Sequence, residues 1–116
     1  MAISIDLQQD AGRWTLTLTG ELDFSECSSF RMHIDRILKA NPREAIVDLS
    51  GLEYLDSSGL GLLLSLSREY AAQGGRLVLI TNEAVDSILD LTRLAGIFSI
   101  AGNTQEATQM LGDSPA

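Results

Sequence analysis

The chain begins with two short segments in which apolar and polar residues alternate. Residues 3–7 and 14–19 both repeat with a period of two, and the turn-forming segment Asp10-Ala11-Gly12 lies between them. A period of two is typical of a strand with one buried face. Because so short a turn joins them, the two segments predict an antiparallel hairpin at the start of a sheet.

The rest of the chain alternates between helical and strand patterns. Apolar residues at positions 30, 34, 37 and 38 have helical spacing and predict an amphipathic helix that ends near residues 39–40, before Asn41-Pro42. Asp23 or Ser25 is its candidate N-cap. The remaining predicted elements are, in order, a strand at 45–49, a helix at 57–73, a strand at 76–80, a helix capped by Asn82 and ended by Gly96, a short strand at 97–100 and a helix from 103 or 104 to 111. This order predicts one α/β domain with a mixed sheet of four to five strands and about four helices, in which the βαβ units pair in parallel.

One polar group lies where the third predicted strand gives way to the following helix. Asp56, Ser57 and Ser58 form this group. The first N–H groups of a helix lack partners and its dipole favours negative charge, so such junctions often carry sites in α/β proteins. All three residues are also good N-caps, and helix capping alone is an alternative explanation. Two hydroxyls and a carboxylate are nevertheless more than one cap requires.

Two glycines, Gly59 and Gly61, lie in the first turn of the same helix. Each costs about 1 kcal/mol relative to alanine in a helix interior. Glycine allows another backbone or a partner to come close, and tight packing of the helix against its own sheet is the alternative reason. The residues that follow are apolar nearly all round, which predicts burial on more than one side or an exposed apolar patch for a partner.

Composition narrows the classes of function. The 116 residues are enough for one domain, and the formal net charge of −8 argues against nucleic acid and anionic membrane surfaces as partners. No apolar stretch is long enough to span a bilayer and the N-terminal residues lack a signal-peptide pattern, so we expect no direct membrane insertion. Cys27 is the one cysteine, which fits a reducing cytoplasm.

The motifs of common catalytic sites are absent from the sequence. It has no phosphate loop, dinucleotide fingerprint, zinc-ligand spacing or nucleophile elbow, and its one histidine, His33, lies on the first predicted helix. Glu21, Asp23 and Asp56 can bring carboxylates together near the central loop, although helix caps and a solvated rim explain them as well. We therefore predict no enzyme activity and no cofactor. A serine at an exposed helix start, without a base to activate it, is better interpreted as a residue on which another protein acts.

Two segments together resemble a known family. Gly20-Glu21-Leu22-Asp23 follows the second predicted strand, and Asp56-Ser57-Ser58-Gly59-Leu60-Gly61 follows the third. In their order, separation and amino-acid sequence, these segments resemble those of the bacterial anti-anti-sigma factors, or anti-sigma factor antagonists, of the STAS domain family. The resemblance extends over nearly the whole chain, and it implies a STAS-like domain at residues 1–111 followed by a flexible tail at 112–116.

The resemblance also implies a function. In this family the unmodified protein binds an anti-sigma factor, often a serine kinase of the histidine-kinase-like ATPase fold, and so frees a sigma factor. Phosphorylation of a serine in the second segment ends binding, and a metal-dependent serine phosphatase reverses it. Carried onto this chain, the phosphoacceptor is Ser58. The residues that fall in the implied partner-binding segments are Gly20, Glu21, Asp23, Asp56, Ser57, Ser58, Gly59 and Gly61.

The chain departs from the family pattern directly after Asp23, where Phe24 precedes a serine-rich helix start. That region varies among relatives and bears on the identity of the partner more than on the fold. Two other functions stay open from the sequence. One is a cytoplasmic STAS subunit of a membrane transport complex, for example one that moves lipids, without phosphorylation. The other is a nucleotide-binding module or small hydrolase, against which the missing phosphate loop argues.

Overall fold

The computed structural model describes residues 3–112, which form a mixed sheet with helices against both of its faces. The elements are β1 (Ile3–Asp10), β2 (Arg13–Leu22), a 3-10 helix (Phe24–Glu26), α1 (Cys27–Ala40), β3 (Glu44–Leu55), α2 (Ser57–Ala72), β4 (Arg76–Ile80), α3 (Glu83–Leu91), a 3-10 helix (Ala95–Ile97), β5 (Ile100–Ala101) and α4 (Thr104–Met110). The strands lie in the order β1-β2-β3-β4-β5. β1 and β2 are antiparallel and the other pairs are parallel. The predicted fold class is thus confirmed.

Alternating side chains along the strands divide the core into two layers. Val47 and Leu79 face the larger layer, which is filled by apolar residues of α1, α2 and α3. Ile46 and Val78 point the other way, into a smaller layer closed by Ala107 of α4. The N-terminal half of α2 is buried on more than one side, since Leu60, Leu62, Leu63 and Leu66 all belong to the core. Within residues 3–112, no helix combines the length and hydropathy needed to cross a bilayer.

The third strand is longer than the pattern at residues 45–49 predicted, because it extends to Leu55. Its first part pairs with both neighbours, but beyond Asp48 it pairs with β2 alone. The pairing passes a register shift near Thr19, and a Cβ at Gly51 would lie 3.3 Å from that threonine. Ser50-Gly51 therefore has the composition of a turn but lies inside a strand whose pairing is long-range.

The third helix ends earlier than predicted, at Leu91 and not at Gly96. Arg93 has a φ of +60°, its N–H donates to the Asp90 carbonyl, and the next N–H, of Leu94, donates to the Leu89 carbonyl. This is a Schellman motif, in which an arginine occupies the left-handed position that glycine usually takes. A 3-10 helix follows, so the fifth strand is Ile100–Ala101 and the predicted strand at 97–100 was wrong in its bounds.

The other helix ends follow local signals in the sequence. Asn82 and Asn103 cap α3 and α4 through their side chains, and Asn41 ends α1 with a φ of 49°. Asp23 caps the short 3-10 helix before α1, whereas α1 itself starts without a side-chain cap. Gly112 is exposed, and residues 113–116 of the predicted tail lie outside the described residues.

Candidate functional site: two loops and a groove beside α2

The carboxyl ends of β2 and β3 place two loops side by side. Leu22 and Leu55 are the last residues of these strands and are partners in the parallel register. The backbone N–H of Asp56 donates to the Leu22 carbonyl oxygen at 3.2 Å. The two segments that carry the resemblance in the sequence therefore lie next to each other.

The carboxylate of Asp56 holds both loops together. Its Oδ1 accepts the backbone N–H groups of Ser58 and Gly59 at 2.9 and 3.1 Å, which caps α2. Its Oδ2 accepts the backbone N–H of Phe24 in the other loop, at 3.0 Å. Asp56 therefore caps α2, and the cross-loop bond to Phe24 is an addition that no local pattern indicated. Any contact of Asp56 with a partner would be made by a carboxylate that already has three donors.

Ser57 and Ser58 are the first two residues of α2, and capping does not use their hydroxyls. Among residues 3–112, neither hydroxyl makes a hydrogen bond, because Asp56 already serves the free N–H groups of Ser58 and Gly59. Ser57 is exposed, and Ser58 is half-buried at the edge of a surface groove. A hydroxyl at the N-terminus of a 16-residue helix lies where the helix dipole stabilises negative charge.

Asp23 is half-buried in the first loop, where hydrogen bonds from Ser25 hold its side chain in place. Its Oδ1 accepts the backbone N–H of Ser25 at 3.0 Å and the hydroxyl of Ser25 at 2.5 Å. The Ser25 hydroxyl is the largest cause that holds the pKa of Asp23 below its ordinary value of 3.8. Burial has the next largest effect and opposes it, and the backbone N–H groups of Ser25 and Glu26 lower the pKa further. The stabilisation from these bonds is therefore present at neutral pH and is lost as the pH falls through the lowered pKa.

Gly20 and Glu21 precede Asp23 in the first loop segment. Gly20 has a φ of +106°, in the region that favours glycine, and it lies at a register shift between β2 and β3. Glu21 is exposed. Asp56 accepts the N–H of Phe24, the residue next to Asp23, but no group of three or more acidic, histidine or cysteine residues within 3–112 is arranged to hold a metal ion.

A groove of about 560 Å³ runs between the start of α1 and the start of α2. Its lining residues are Phe24, Ser25, Cys27, Ser28, Arg31, Ser58 and Leu62. In the sequence, Phe24 stands out only as a departure from the family pattern, and no motif indicates the groove. The missing information was the packing of α1 against α2, because the groove exists only where the first turns of the two helices meet.

Cys27 lines this groove, and the nearby carboxylates of Asp56 and Asp23 affect the pKa of its thiol. Its thiol donates to the Asp23 carbonyl oxygen at 3.4 Å and is half-buried. Burial raises the pKa of the Cys27 thiol, the carboxylates of Asp56 and then Asp23 raise it further, and the Arg31 guanidinium opposes them. Cys27 packs against the core, and burial together with the two carboxylates favours its neutral form.

The two glycines of α2 serve different purposes. A Cβ at Gly59 would lie 2.7 Å from Cγ of Leu22 and 2.8 Å from Cδ1 of Leu55, both of which are buried. At Gly61, a Cβ would meet no atom within 4 Å, and the residue is exposed. Packing against its own sheet therefore explains Gly59, whereas Gly61 leaves open space on an exposed face of α2.

These environments predict opposite effects for the same substitution. We expect Gly59→Ala to lower the free energy of unfolding by about 1–2 kcal/mol, because overpacking outweighs the gain in helix propensity. We expect Gly61→Ala to raise it by up to about 1 kcal/mol, since propensity acts there alone. Urea denaturation of both variants measures the difference. Equal effects at the two positions would contradict the packing assigned to Gly59.

Comparisons with known proteins agree with this architecture. The STAS domain family model matches residues 4–107. An anti-sigma F factor antagonist of Paenibacillus polymyxa is 31% identical over 109 residues, which are 92% of this chain and 93% of that protein. The crystal structure of an anti-sigma factor antagonist from Mycobacterium paratuberculosis has a TM-score of 0.85 at 22% identity, over 97% of this chain and 96% of that one. A Bacillus cell-fate determinant in its phosphorylated form has a TM-score of 0.72 at 24% identity, over 93% of this chain and 99% of that one.

The family match extends from the first strand to the last helix and includes both loops of the site. The structural matches share the five-stranded fold at lower identity. The relative from Paenibacillus reaches comparable coverage at an identity that establishes common descent. The resemblance first seen in the two loop segments is confirmed, and the chain belongs to the STAS domain family.

Proposed function

We propose that this chain is an anti-sigma factor antagonist whose binding is switched by phosphorylation of Ser58. The unmodified form binds an anti-sigma factor through the loops after β2 and β3, and a sigma factor is thereby released. Phosphorylation of Ser58 ends this binding, and a metal-dependent serine phosphatase restores it. The names of the relatives support the antagonist function. The chain acts by binding, in the cytoplasm, and carries out no catalysis.

The observation that carries the proposal is the position of the Ser58 hydroxyl. It makes no hydrogen bond within residues 3–112, lies at the N-terminus of α2, and borders the groove that contains Phe24 and Leu62. A group can therefore be added to this hydroxyl without breaking a hydrogen bond of the fold. Ser57 is more exposed but does not line the groove. A group added to Ser58 therefore changes the groove directly.

The charge on a phosphate explains how phosphorylation can end partner binding without a change of fold. Phosphorylation adds roughly −1.5 to −2 charges and three acceptor oxygens. The helix dipole tolerates them at the start of α2, so the fold persists. A partner packed against this surface must accommodate the phosphate beside Asp23 and Asp56, with added bulk, repulsion and desolvation. A loss of about 3 kcal/mol already weakens binding more than a hundredfold.

The partner proposed here is an anti-sigma factor that is itself a serine kinase of the histidine-kinase-like ATPase fold. A binding surface that contains the phosphoacceptor fits a partner that is itself the kinase, because the same docking site then serves both binding and phosphorylation. The solved relative in a phosphorylated form is a protein of the same fold that accepts the modification. The phosphatase completes the cycle by removing the phosphate from the exposed end of α2.

A paired pull-down from native extract tests the proposal. Ser58→Ala and Ser58→Glu serve as baits, and mass spectrometry identifies the proteins that each retains. We expect a kinase or anti-sigma factor on the Ser58→Ala bait and its loss from the Ser58→Glu bait. If both baits retain the same membrane-transport components, the chain is a structural subunit and Ser58 is not a switch.

Asp23→Ala separates binding from stability in the first loop. We expect it to weaken partner binding or phosphorylation while lowering the melting temperature less than Asp56→Ala does, because the Asp23 side chain holds the Ser25 turn whereas that of Asp56 accepts three backbone N–H groups. Calorimetric titration and thermal unfolding on the same preparation measure both quantities. A large drop in melting temperature with unchanged binding would mean that Asp23 is only a cap.

A further inference from the structure

Phe24 is an exposed aromatic residue at the edge of the groove beside Ser58. Its side chain is 77% exposed, although a phenylalanine ring normally gains free energy by burial. Leu62 and Cys27 provide apolar surface in the same groove. The ring thus stands next to an apolar recess that it does not fill, which is an arrangement that a partner side chain can complete.

The backbone of Phe24 is held rigidly despite this exposure. Its N–H donates to Oδ2 of Asp56 at 3.0 Å, and its carbonyl oxygen accepts the N–H of Cys27. The residue also begins a 3-10 helix that continues into α1. A backbone fixed in this way loses little conformational entropy when a partner binds, so the entropy cost of ordering Phe24 is confined to its side chain.

The charges around Phe24 indicate what kind of partner segment fits. Asp23 and Asp56 flank it, Glu26 follows within the same 3-10 helix, and the chain carries a formal net charge of −8. Arg31, which also lines the groove, is the single basic residue among the described lining residues. An apolar side chain flanked by lysine or arginine complements this surface in both shape and charge.

We infer that Phe24 is the residue by which this chain selects its partner, through a partner segment that places an apolar side chain against the ring and basic residues against the neighbouring carboxylates. The inference rests on the proposed function, since it concerns the same surface. It goes further because it assigns specificity to a side chain that neither loop segment of the family pattern contains. Aromatic residues at the centre of protein interfaces commonly dominate the binding energy.

Met32 provides a matched control for this residue. It is an apolar side chain on α1, 66% exposed, and it does not line the groove. Neither Phe24 nor Met32 contributes to the core, so replacement by alanine should leave the melting temperature of both variants close to that of the wild type. A difference in binding between the two variants therefore reports the position of the side chain and not the loss of exposed apolar surface as such.

The test uses the protein that the Ser58→Ala bait retains and the Ser58→Glu bait loses, purified and titrated calorimetrically. We expect Phe24→Ala to weaken binding at least about thirtyfold, Phe24→Tyr to keep most of the affinity, and Met32→Ala to bind as the wild type does. A photo-crosslinking residue at position 24 should attach to a partner segment that contains an apolar residue next to lysine or arginine.

Two results overturn the inference while leaving the proposed function intact. One is unchanged affinity of Phe24→Ala for a partner that Ser58→Glu still loses, and the other is a crosslinked segment that is acidic or wholly polar. If no protein distinguishes the two Ser58 baits, the proposed function fails and this inference fails with it. The three outcomes are therefore distinguishable from the same set of variants.

Discussion

Ser58→Glu is expected to weaken binding of the anti-sigma partner more than a hundredfold relative to Ser58→Ala, without unfolding the protein. Position 58 is the second residue of α2, where a carboxylate interacts favourably with the helix dipole by about 0.3–1 kcal/mol. The same charge is unfavourable in the complex, because it lies beside Asp23 and Asp56 in a surface that the partner must desolvate. Calorimetric titration gives the affinities, and thermal unfolding gives the stability.

Ser57→Glu is the matched control for this prediction. It adds the same charge one residue earlier, at a side chain that is exposed and does not line the groove. We expect a smaller loss of affinity than for Ser58→Glu. An equal or greater loss at position 57 would mean that charge anywhere at the start of α2 is sufficient, and it would contradict the assignment of the switch to Ser58.

Asp56→Ala is expected to lower the free energy of unfolding by about 2–3 kcal/mol. Loss of an aspartate N-cap costs up to about 2 kcal/mol, and the bond to the Phe24 N–H adds to this because the acceptor is charged. Three backbone N–H groups, those of Phe24, Ser58 and Gly59, lose their acceptor together. Urea denaturation measures the loss, and the amide chemical shift of Phe24 reports whether the first loop is released.

Asp56→Asn separates the two hydrogen-bonding roles of this side chain, which are to cap α2 and to accept the N–H of Phe24. An asparagine oxygen can still cap α2, but its amide group cannot accept the N–H of Phe24 at the other end. We expect a smaller loss of stability than for alanine, together with a changed Phe24 amide shift. If Asp56→Ala leaves stability unchanged, the carboxylate does not hold the two loops together, and the rigidity ascribed to Phe24 has no basis.

Local signals in the sequence were sufficient to predict where most helices start. Asp56, Asn82 and Asn103 cap helices where the pattern predicted caps, because an N-cap depends on residues within one turn. The β1–β2 hairpin was equally predictable, since the alternation of apolar and polar residues and the turn at Gly12 are both local features. The parallel order of the later strands followed from the helix–strand alternation.

The predictions that were wrong concern features that depend on distant residues or unusual conformations. β3 runs through Ser50-Gly51 because β2 continues to pair with it, and Asn82 donates to the carbonyl oxygens on both sides of that dipeptide. α3 ends at Leu91 because Arg93 adopts a left-handed conformation, for which its identity gives no signal. Neither feature can be read from a window of neighbouring residues.

The site shows the same division between local and long-range information. The sequence located both loops and identified the surplus of polar groups at the start of α2. It did not predict that Asp56 reaches across to Phe24, or that the first turns of α1 and α2 enclose a groove. Those facts depend on the distance between two loops that are 32 residues apart in the chain.

The most direct test of the central claim is the affinity of the chain with phosphoserine installed at position 58 for the partner identified by the Ser58→Ala bait. A chain with phosphoserine at position 57 serves as the control, so that charge and bulk are the same in both proteins. We expect modification at position 58 to weaken binding more than a hundredfold, by about 3 kcal/mol or more, and modification at position 57 to have a clearly smaller effect. Unchanged affinity of the chain modified at position 58 would contradict a phosphorylation switch at Ser58.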